Sequence, residues 1–221
     1  NAGGSGMKDT AESKWVTTTI GEICDLVNGK SFKPKDWTDE GLPIVRIQNL
    51  NKPDAPFNRF SGEVPEKFLI DCGQLLFAWS GTPGTSFGAH IWNGGPAVLN
   101  QHIFKVEPRP GVDKRFLFYV LKAEAKLLSE HHAHGSTMTH IKREDLGHQV
   151  PVPPLESQRR IAAFLDEESA RLDSLLEESE SLVQIVQERR SALITAAVTG
   201  QIDVSTWQPP SDWAGREANL P

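Results

Sequence analysis

Gln149-Val150-Pro151-Val152-Pro153-Pro154-Leu155-Glu156-Ser157-Gln158-Arg159-Arg160-Ile161 is the stretch that decides the fold. An apolar alternation from His148 to Val152 reads as the last strand of a domain and stops at a proline cluster. Beyond it a helical pattern runs unbroken, and from Leu155 to Thr199 there is no Pro and no Gly. A pattern of that length belongs to a coiled coil, a membrane span or a helical repeat rather than to an ordinary globular helix. Its charge excludes the membrane span.

The heptad can be counted from Ile161 as an a position. The a residues are Ile161, Glu168, Leu175, Leu182, Arg189 and Ala196; the d residues are Leu165, Leu172, Ser179, Val186 and Leu193. Eight of these eleven are apolar and hold a 3.5-residue spacing, which favours a left-handed coil. Glu168, Ser179 and Arg189 interrupt the stripe, and such breaks weaken a coil while fixing its register or direction. A helix from Ser157 to Val198 has 42 residues and extends about 63 Å at 1.5 Å per residue. No small domain buries such a rod along its whole length, and the chain has no second helix to match it. The expected partner is another chain, packed on Ile161, Leu165, Leu172, Leu175, Leu182, Val186 and Leu193. A lone helix folded back on its own domain is the alternative.

The 221 residues suffice for one domain of about 150 plus an appendage. Residues 1–6 read as a purification-tag remnant, with Met7 as the native start. No segment carries the 18 or so apolar residues that a transmembrane helix needs, and no signal peptide is evident, so a cytoplasmic, non-membrane protein is expected. Cys24 and Cys72 lie in apolar, strand-like surroundings and read as buried free thiols. The net charge of −6 is unevenly spread: residues 1–154 carry 17 basic and 17 acidic side chains, residues 155–221 carry 6 and 12. The acidity belongs to the rod and tail, and the first domain is free to present a local basic face.

Along that domain, Trp15 to Leu26 reads as strand plus short helix and Val27 to Lys30 as a turn. Pro43 to Ile47 reads as a strand followed by a polar loop from Gln48 to Asn58. Leu75 to Trp79 is a buried strand, and Ser80 to Gly88 a glycine-rich loop. Ala97 to Leu99 and His102 to Val106 are further strands. Phe116 to Ser129 reads as a helix with Phe116, Tyr119, Val120, Ala123 and Leu127 on one face. Ile202 to Val204 reads as a short strand before a Pro/Trp-containing tail. Many short strands and few helices predict an α+β domain around a mixed, strongly bent sheet, followed by the long helix.

Several catalytic and cofactor motifs are excluded. Gly29-Lys30-Ser31 is not a phosphate-binding loop, because that motif needs glycine at position 24, where Cys24 stands. Gly81, Gly84 and Gly88 do not fit dinucleotide spacing. His131, His132, His134 and His140 fit no zinc pattern, so no metal is expected. Ser80 and Ser86 lack a nucleophile elbow. Val152-Pro153-Pro154-Leu155 lacks the amide or carboxylate of an adenine-methylating Asn-Pro-Pro-Tyr tetrapeptide. No catalysis and no cofactor are expected of this chain.

The residues resemble a known family at Leu75-Leu76-Phe77-Ala78-Trp79-Ser80-Gly81, Asn100-Gln101-His102-Ile103 and Gly135-Ser136-Thr137. The likeness continues through Pro151-Val152-Pro153-Pro154-Leu155-Glu156-Ser157-Gln158 into Ile161-Ala162-Ala163-Phe164-Leu165-Asp166, and through Leu193-Ile194-Thr195-Ala196-Ala197-Val198-Thr199-Gly200-Gln201-Ile202-Asp203. Together these are similar to the specificity subunit of type I restriction-modification systems, over about Lys14 to Val204. Ser157 stands where that family more often has Glu. The resemblance implies a target recognition domain over residues 14–154 that reads half of a split DNA site, a conserved helix over residues 155–200 that spaces it and docks methyltransferase subunits, and a tail over residues 201–221. A restriction nuclease subunit is an optional further partner. A full specificity subunit has two recognition domains and two antiparallel helices; this chain has one of each. It therefore looks like a half-length form that pairs with a second copy through an antiparallel intermolecular coiled coil, bringing two equivalent readers to a palindromic split site.

Double-stranded DNA is then read by side chains that reach base edges and by cations that hold phosphates. The candidates are Lys30, Lys33, Lys35, Arg46, Gln48, Asn49, Asn51, Lys52 and Arg59 in the first third. Ser80, Thr82, Thr85 and Ser86 come from the glycine-rich loop. Asn100, Gln101, His102, Ser136, Thr137, Thr139, His140 and Lys142 come from the later loops. The rival reading is a homodimeric adaptor or decoy that binds methyltransferase subunits without reading DNA.

Overall fold

The computed structural model describes residues 15–52, 55–132, 139–141 and 143–209. The chain divides into two units, residues 1–165 and 166–221.

In the first unit, β1 (Val16–Thr19) leads through α1 (Ile20–Ile23) into β2 (Cys24–Asn28). β3 (Leu42–Val45), α2 (Ile47–Asn51) and β4 (Arg59–Phe60) follow, then β5 (Leu69–Ile70), β6 (Leu75–Ala78), β7 (Ser80–Gly81), β8 (Gly88–Ile91), β9 (Ala97–Leu99) and β10 (Ile103–Pro108). The long α3 (Lys114–His132), β11 (Thr139–His140) and β12 (Gln149–Val152) lead to α4 (Leu155–Val198). The class is α+β, as the sequence implies. Among the described residues the strands form two four-stranded sheets, in the orders β2-β10-β6-β8 and β4-β3-β9-β5, and two ribbons, β1-β12 and β11-β7.

β6 explains why two sheets form. Its residues Leu75-Leu76-Phe77-Ala78 are all buried, so a period-2 strand is apolar on both faces. Leu75 and Phe77 join Leu26, Phe104 and Val106 in a core closed by α1 and α3. Leu76 and Ala78 point the other way and join Ile103, Val45, Leu99, Ala97 and Ile70 in a second core against the other sheet.

α3 starts at Asp113, whose carboxylate accepts the backbone N–H groups of Arg115 (2.9 Å) and Phe116 (3.0 Å), satisfying two otherwise orphaned donors. Its buried face is Leu117, Leu121, Glu124, Ala125 and Leu128, with Phe116 beside it. Ala123 and Leu127 are exposed, so the face read from sequence is rotated by about one residue. Other expectations shift too. Val27 and Asn28 belong to β2 and pair with Lys105 and Phe104 rather than forming a turn. The segment after β3 opens as α2. Cys24 is buried, but Cys72 is exposed: it follows Asp71, whose carboxylate accepts its N–H, and precedes Gly73 at φ 81°, which makes a turn.

β12 pairs antiparallel with β1 and delivers the chain to Pro153. α4 then runs for 44 residues, roughly 66 Å at 1.5 Å per residue. Within the first unit it is anchored by Gln158, only 1% exposed, and by Ala162. The Gln158 side chain donates to the Pro153 (2.8 Å) and Gly111 (3.1 Å) carbonyls and accepts the Asp113 N–H (2.8 Å).

In the second unit, α4 continues from Asp166 and carries its leucines in the open. Leu172 is 58% exposed and Leu182 61%, and Leu175, Leu176, Val183, Val186 and Leu193 are similarly uncovered. Gly200, at φ 75°, ends the helix. The expected strand at Ile202–Val204 does not form; the Ile202 N–H instead returns to the Ala196 carbonyl. No described helix is long and apolar enough to cross a membrane.

Candidate nucleic-acid interface

One edge of the first unit collects the ends of six strands. β3 and β9 run parallel, so both leave in the same direction, and the Asn100 N–H bonds the Val45 carbonyl at 3.0 Å. Arg46 to Gln48 and Asn100 to His102 therefore emerge side by side. β6 ends opposite the start of β10, with Ala78 on Ile103, and the start of β8 lies opposite β6, with Gly88 on Ala78. This brings the Ser80–Gly88 segment to the same edge. β2 also ends here, with Asn28 opposite Phe104.

Gly29 lets the last of these ends close in. A Cβ there would lie 2.2 Å from the Asn100 carbonyl oxygen and 2.4 Å from that of Leu99, so only glycine fits. The Lys30 N–H bonds the Leu99 carbonyl at 2.8 Å. The Lys30 ammonium sits over the Phe60 ring, 4.4 Å from its centroid, and near Phe32.

Between these segments lies an open cleft of about 430 Å³, lined by Phe32, Trp37, Arg46, Ile47, Gln48, Gly81, Thr82, Ser86, Asn100, Gln101 and His102. Seven of the residues selected from sequence meet in it: Arg46, Gln48, Thr82, Ser86, Asn100, Gln101 and His102. Arg46 donates from Nη1 to Asn58 Oδ1 at 3.3 Å, and its guanidinium lies 5.7 Å from the Trp37 ring centroid. Trp79 braces the opposite wall. Its indole N–H is shared between Asn28 Oδ1 and the Gln101 carbonyl, each at 3.1 Å, and its ring packs on His102.

Lys33, Lys35, Asn51, Lys52, Arg59 and Thr85 are exposed outside this cleft. Arg59 lines an adjoining depression of about 330 Å³ with Trp37, Thr38, Asp39, Phe57 and Asn58.

Three selected residues turn inward. Asn49 is 4% exposed, and its amide is spent on the Arg46 N–H and the Ala55 carbonyl, which closes α2 on itself. Ser80 is buried in β7. Ser86 is buried with its hydroxyl accepting the Thr82 N–H at 2.9 Å. The glycine-rich segment is thus a closed turn: the Thr82 carbonyl also accepts from Thr85, Ser86 and Phe87, and only Thr82, Gly84 and Thr85 stand out at its tip. Ser136, Thr137 and Lys142 lie outside the described residues, as do the side chains of Thr139 and His140. Among the described residues no cluster of His, Cys, Asp or Glu is placed to hold a metal.

Trp37, Phe32 and Asn58 were not selected from sequence. The available signal was an aromatic interleaved with lysines, Lys30-Ser31-Phe32-Lys33, and a tryptophan in a polar segment.

The comparisons agree with this architecture. The model of the type I restriction modification DNA specificity domain matches residues 12–183. The EcoBI specificity subunit of Escherichia coli is 31% identical over 194 residues, covering 85% of this chain and 39% of that subunit. The MjaVIII specificity subunit of Methanocaldococcus jannaschii is 26% identical over 216 residues, covering 86% and 47%. The chain spans less than half the length of these curated relatives. Among solved structures, a chain from work on complex assembly and conformational transition of the type I R-M system superposes with a TM-score of 0.67 at 23% identity, over 86% of this chain and 47% of that one. The HsdS subunit from Thermoanaerobacter tengcongensis gives 0.55 at 23% identity, over 76% and 40%. These two likenesses concern the fold, and with the matched domain they lead to one conclusion: the chain belongs to the type I restriction modification DNA specificity family.

Proposed function

We propose that this chain is a non-catalytic DNA-recognition subunit of a type I restriction-modification complex that reads half of a bipartite duplex site. Residues 14–154 form the reader, residues 155–200 the spacer and docking helix, and residues 201–221 a tail. The observation that carries this reading is the convergence of strand ends on one edge, where Arg46, Gln48, Asn100 and Gln101 share a cleft; Lys33, Lys35 and Lys52 stand exposed outside it. Guanidinium and amide groups are the ones that match base edges, and lysines hold phosphates without reading sequence. Methylation, and cleavage where a nuclease subunit takes part, belong to partner chains.

The exposed leucine stripe of α4 supports the second half of the proposal. An apolar stripe running along a helix in water calls for a partner. A second copy, packed antiparallel, covers it and rebuilds a two-reader molecule for a palindromic split site.

Binding of the full chain to a library of randomised bipartite duplexes, measured over a salt series, tests the reading. A reader enriches a split sequence, and its affinity falls steeply with salt as phosphate counterions are released. An adaptor that only sequesters methyltransferase subunits enriches nothing and shows no such dependence.

A further inference from the structure

We propose that Arg46 reads a guanine, and that Trp37 and Asn58 are the positioning residues that aim it. The inference rests on the DNA-reading function proposed above and assigns it one base and one side chain.

Arg46 is held at three points. Its backbone N–H bonds Asn49 Oδ1 at 3.1 Å, fixing the residue at the corner where the buried end of β3 turns into α2. Its Nη1 bonds Asn58 Oδ1 at 3.3 Å. Its guanidinium lies against the Trp37 ring. Trp37 is itself placed by a stiff turn: its N–H bonds the Pro34 carbonyl at 3.2 Å, and Asp36 caps the turn by accepting the Lys33 N–H at 2.8 Å. A cation that only neutralises phosphate needs no such hold. Lys33, Lys35 and Lys52 are exposed, and their side chains have none among the described residues.

The hold leaves the Nε–Nη2 edge of Arg46 without a hydrogen bond to any described residue, and the side chain lines the cleft. That edge is a planar pair of donors with no acceptor. Guanine offers two acceptors, O6 and N7, side by side in the major groove. Adenine offers N7 beside an amino donor, which faces a guanidinium donor to donor. Ordering a long side chain costs conformational entropy, and here Trp37 and Asn58 meet that cost before DNA arrives.

The test uses the full chain, a randomised bipartite duplex library, and then the enriched duplex against a scrambled one at fixed salt. Wild type should enrich an invariant G·C pair at one position of the half-site. Arg46→Lys keeps the charge but loses the planar pair. It should lose preference at that pair alone by roughly five- to a hundredfold, with the other positions and the scrambled duplex unaffected. Trp37→Ala and Asn58→Ala should weaken the same single preference, and Trp37→Phe should restore part of it. Lys35→Ala should lower affinity for both duplexes alike and leave the profile intact. If Trp37→Ala loses its fold by circular dichroism, Arg46→Lys and Trp37→Phe carry the test.

An unchanged profile for Arg46→Lys overturns the inference while the DNA-reading function stands. So does a uniform loss at every position, which would make Arg46 a phosphate anchor. A wild-type chain that enriches nothing removes both.

Discussion

The side-chain oxygen of Gln158 accepts the backbone N–H of Asp113 at 2.8 Å, and the carboxylate of the same Asp113 caps α3. One buried amide thus ties the start of the long helix to the start of the helix that closes the core of the first unit. Its two donor bonds go to the carbonyls of Pro153 and Gly111, on either side of that junction. Arg159 adds a 3.9 Å ion pair to Asp113, a minor term because its side chain is largely exposed.

Replacing Gln158 should therefore cost far more than a surface substitution. Gln158→Ala leaves a buried N–H and two carbonyls without partners, and about 2–4 kcal/mol of stability should be lost. Urea unfolding of the variant beside Arg160→Ala, which lies on the exposed side of the same turn, measures the difference. Equal midpoints would show that the amide does not hold the junction.

His90 should make part of the stability pH-dependent. Burial is the main cause that holds its imidazole below the ordinary value near 6.5; the charge of Lys122 acts in the same direction, and the Ser86 carbonyl, 3.1 Å from Nε2, opposes them. The folded state therefore resists the proton that the unfolded chain accepts. This contribution is fully present above about pH 6.5 and is lost as the pH falls towards the lower folded value, at no more than about 1.4 kcal/mol per pH unit for one group. His90→Gln removes the titration. Between pH 7.5 and 5.5 the wild type should lose more stability than the variant, by urea midpoint, and parallel losses would exclude His90 as the cause.

The junction was legible in the sequence because three independent signals coincide there: a strand alternation, a proline cluster and an uninterrupted heptad. The strands of the core were legible for a similar reason, since runs such as Leu75 to Ala78 are apolar throughout. The face of α3 was not. Phe116-Leu117-Phe118-Tyr119-Val120-Leu121 is apolar all round, so two neighbouring faces satisfy the same period and only packing chooses between them. Side-chain direction in the site was equally hidden. Asn49, Ser80 and Ser86 are residue types that suit DNA contact, yet all three are buried, and Asn49 and Ser86 satisfy backbone groups inside the fold. The signal for Asn49 was its place three residues after Arg46, where an amide can reach back to cap a helix start. The pairing of Arg46 with Trp37 and Asn58 depends on the antiparallel pairing of β3 with β4, and of Thr38 with Arg59, which no local pattern records.

The leucine stripe of α4 should carry dimerisation and nothing else. Leu175 and Leu182 are half or more exposed and belong to neither described core cluster, so Leu175→Lys with Leu182→Lys leaves those cores intact. In a two-fold pair the change removes four leucines, each worth about 1.5–3 kcal/mol when fully buried. Light scattering of the wild type should give twice 24.4 kDa, and of the variant 24.4 kDa, with the same thermal unfolding of the first unit. A wild-type chain that is monomeric alone and with methyltransferase subunits present would remove the stripe as a self-association surface, and the palindromic site with it.

If the paired helices space the two readers, helix length sets the gap between half-sites. Deleting Leu176 to Leu182 takes out one heptad, and the apolar positions from Val186 onward keep their register with those before the cut. The helix shortens by about 10.5 Å at 1.5 Å per residue, which is about three base pairs at 3.4 Å each. Selection from duplexes with spacers of varied length should move the preferred gap down by about three base pairs, with the half-site sequences unchanged. A four-residue deletion serves as the control, because it rotates the stripe out of register and should weaken dimerisation instead of shifting the gap. If the seven-residue deletion leaves the preferred gap where it was, the helix does not act as the ruler, and the distance between readers must be fixed by the recognition domains or by partner subunits.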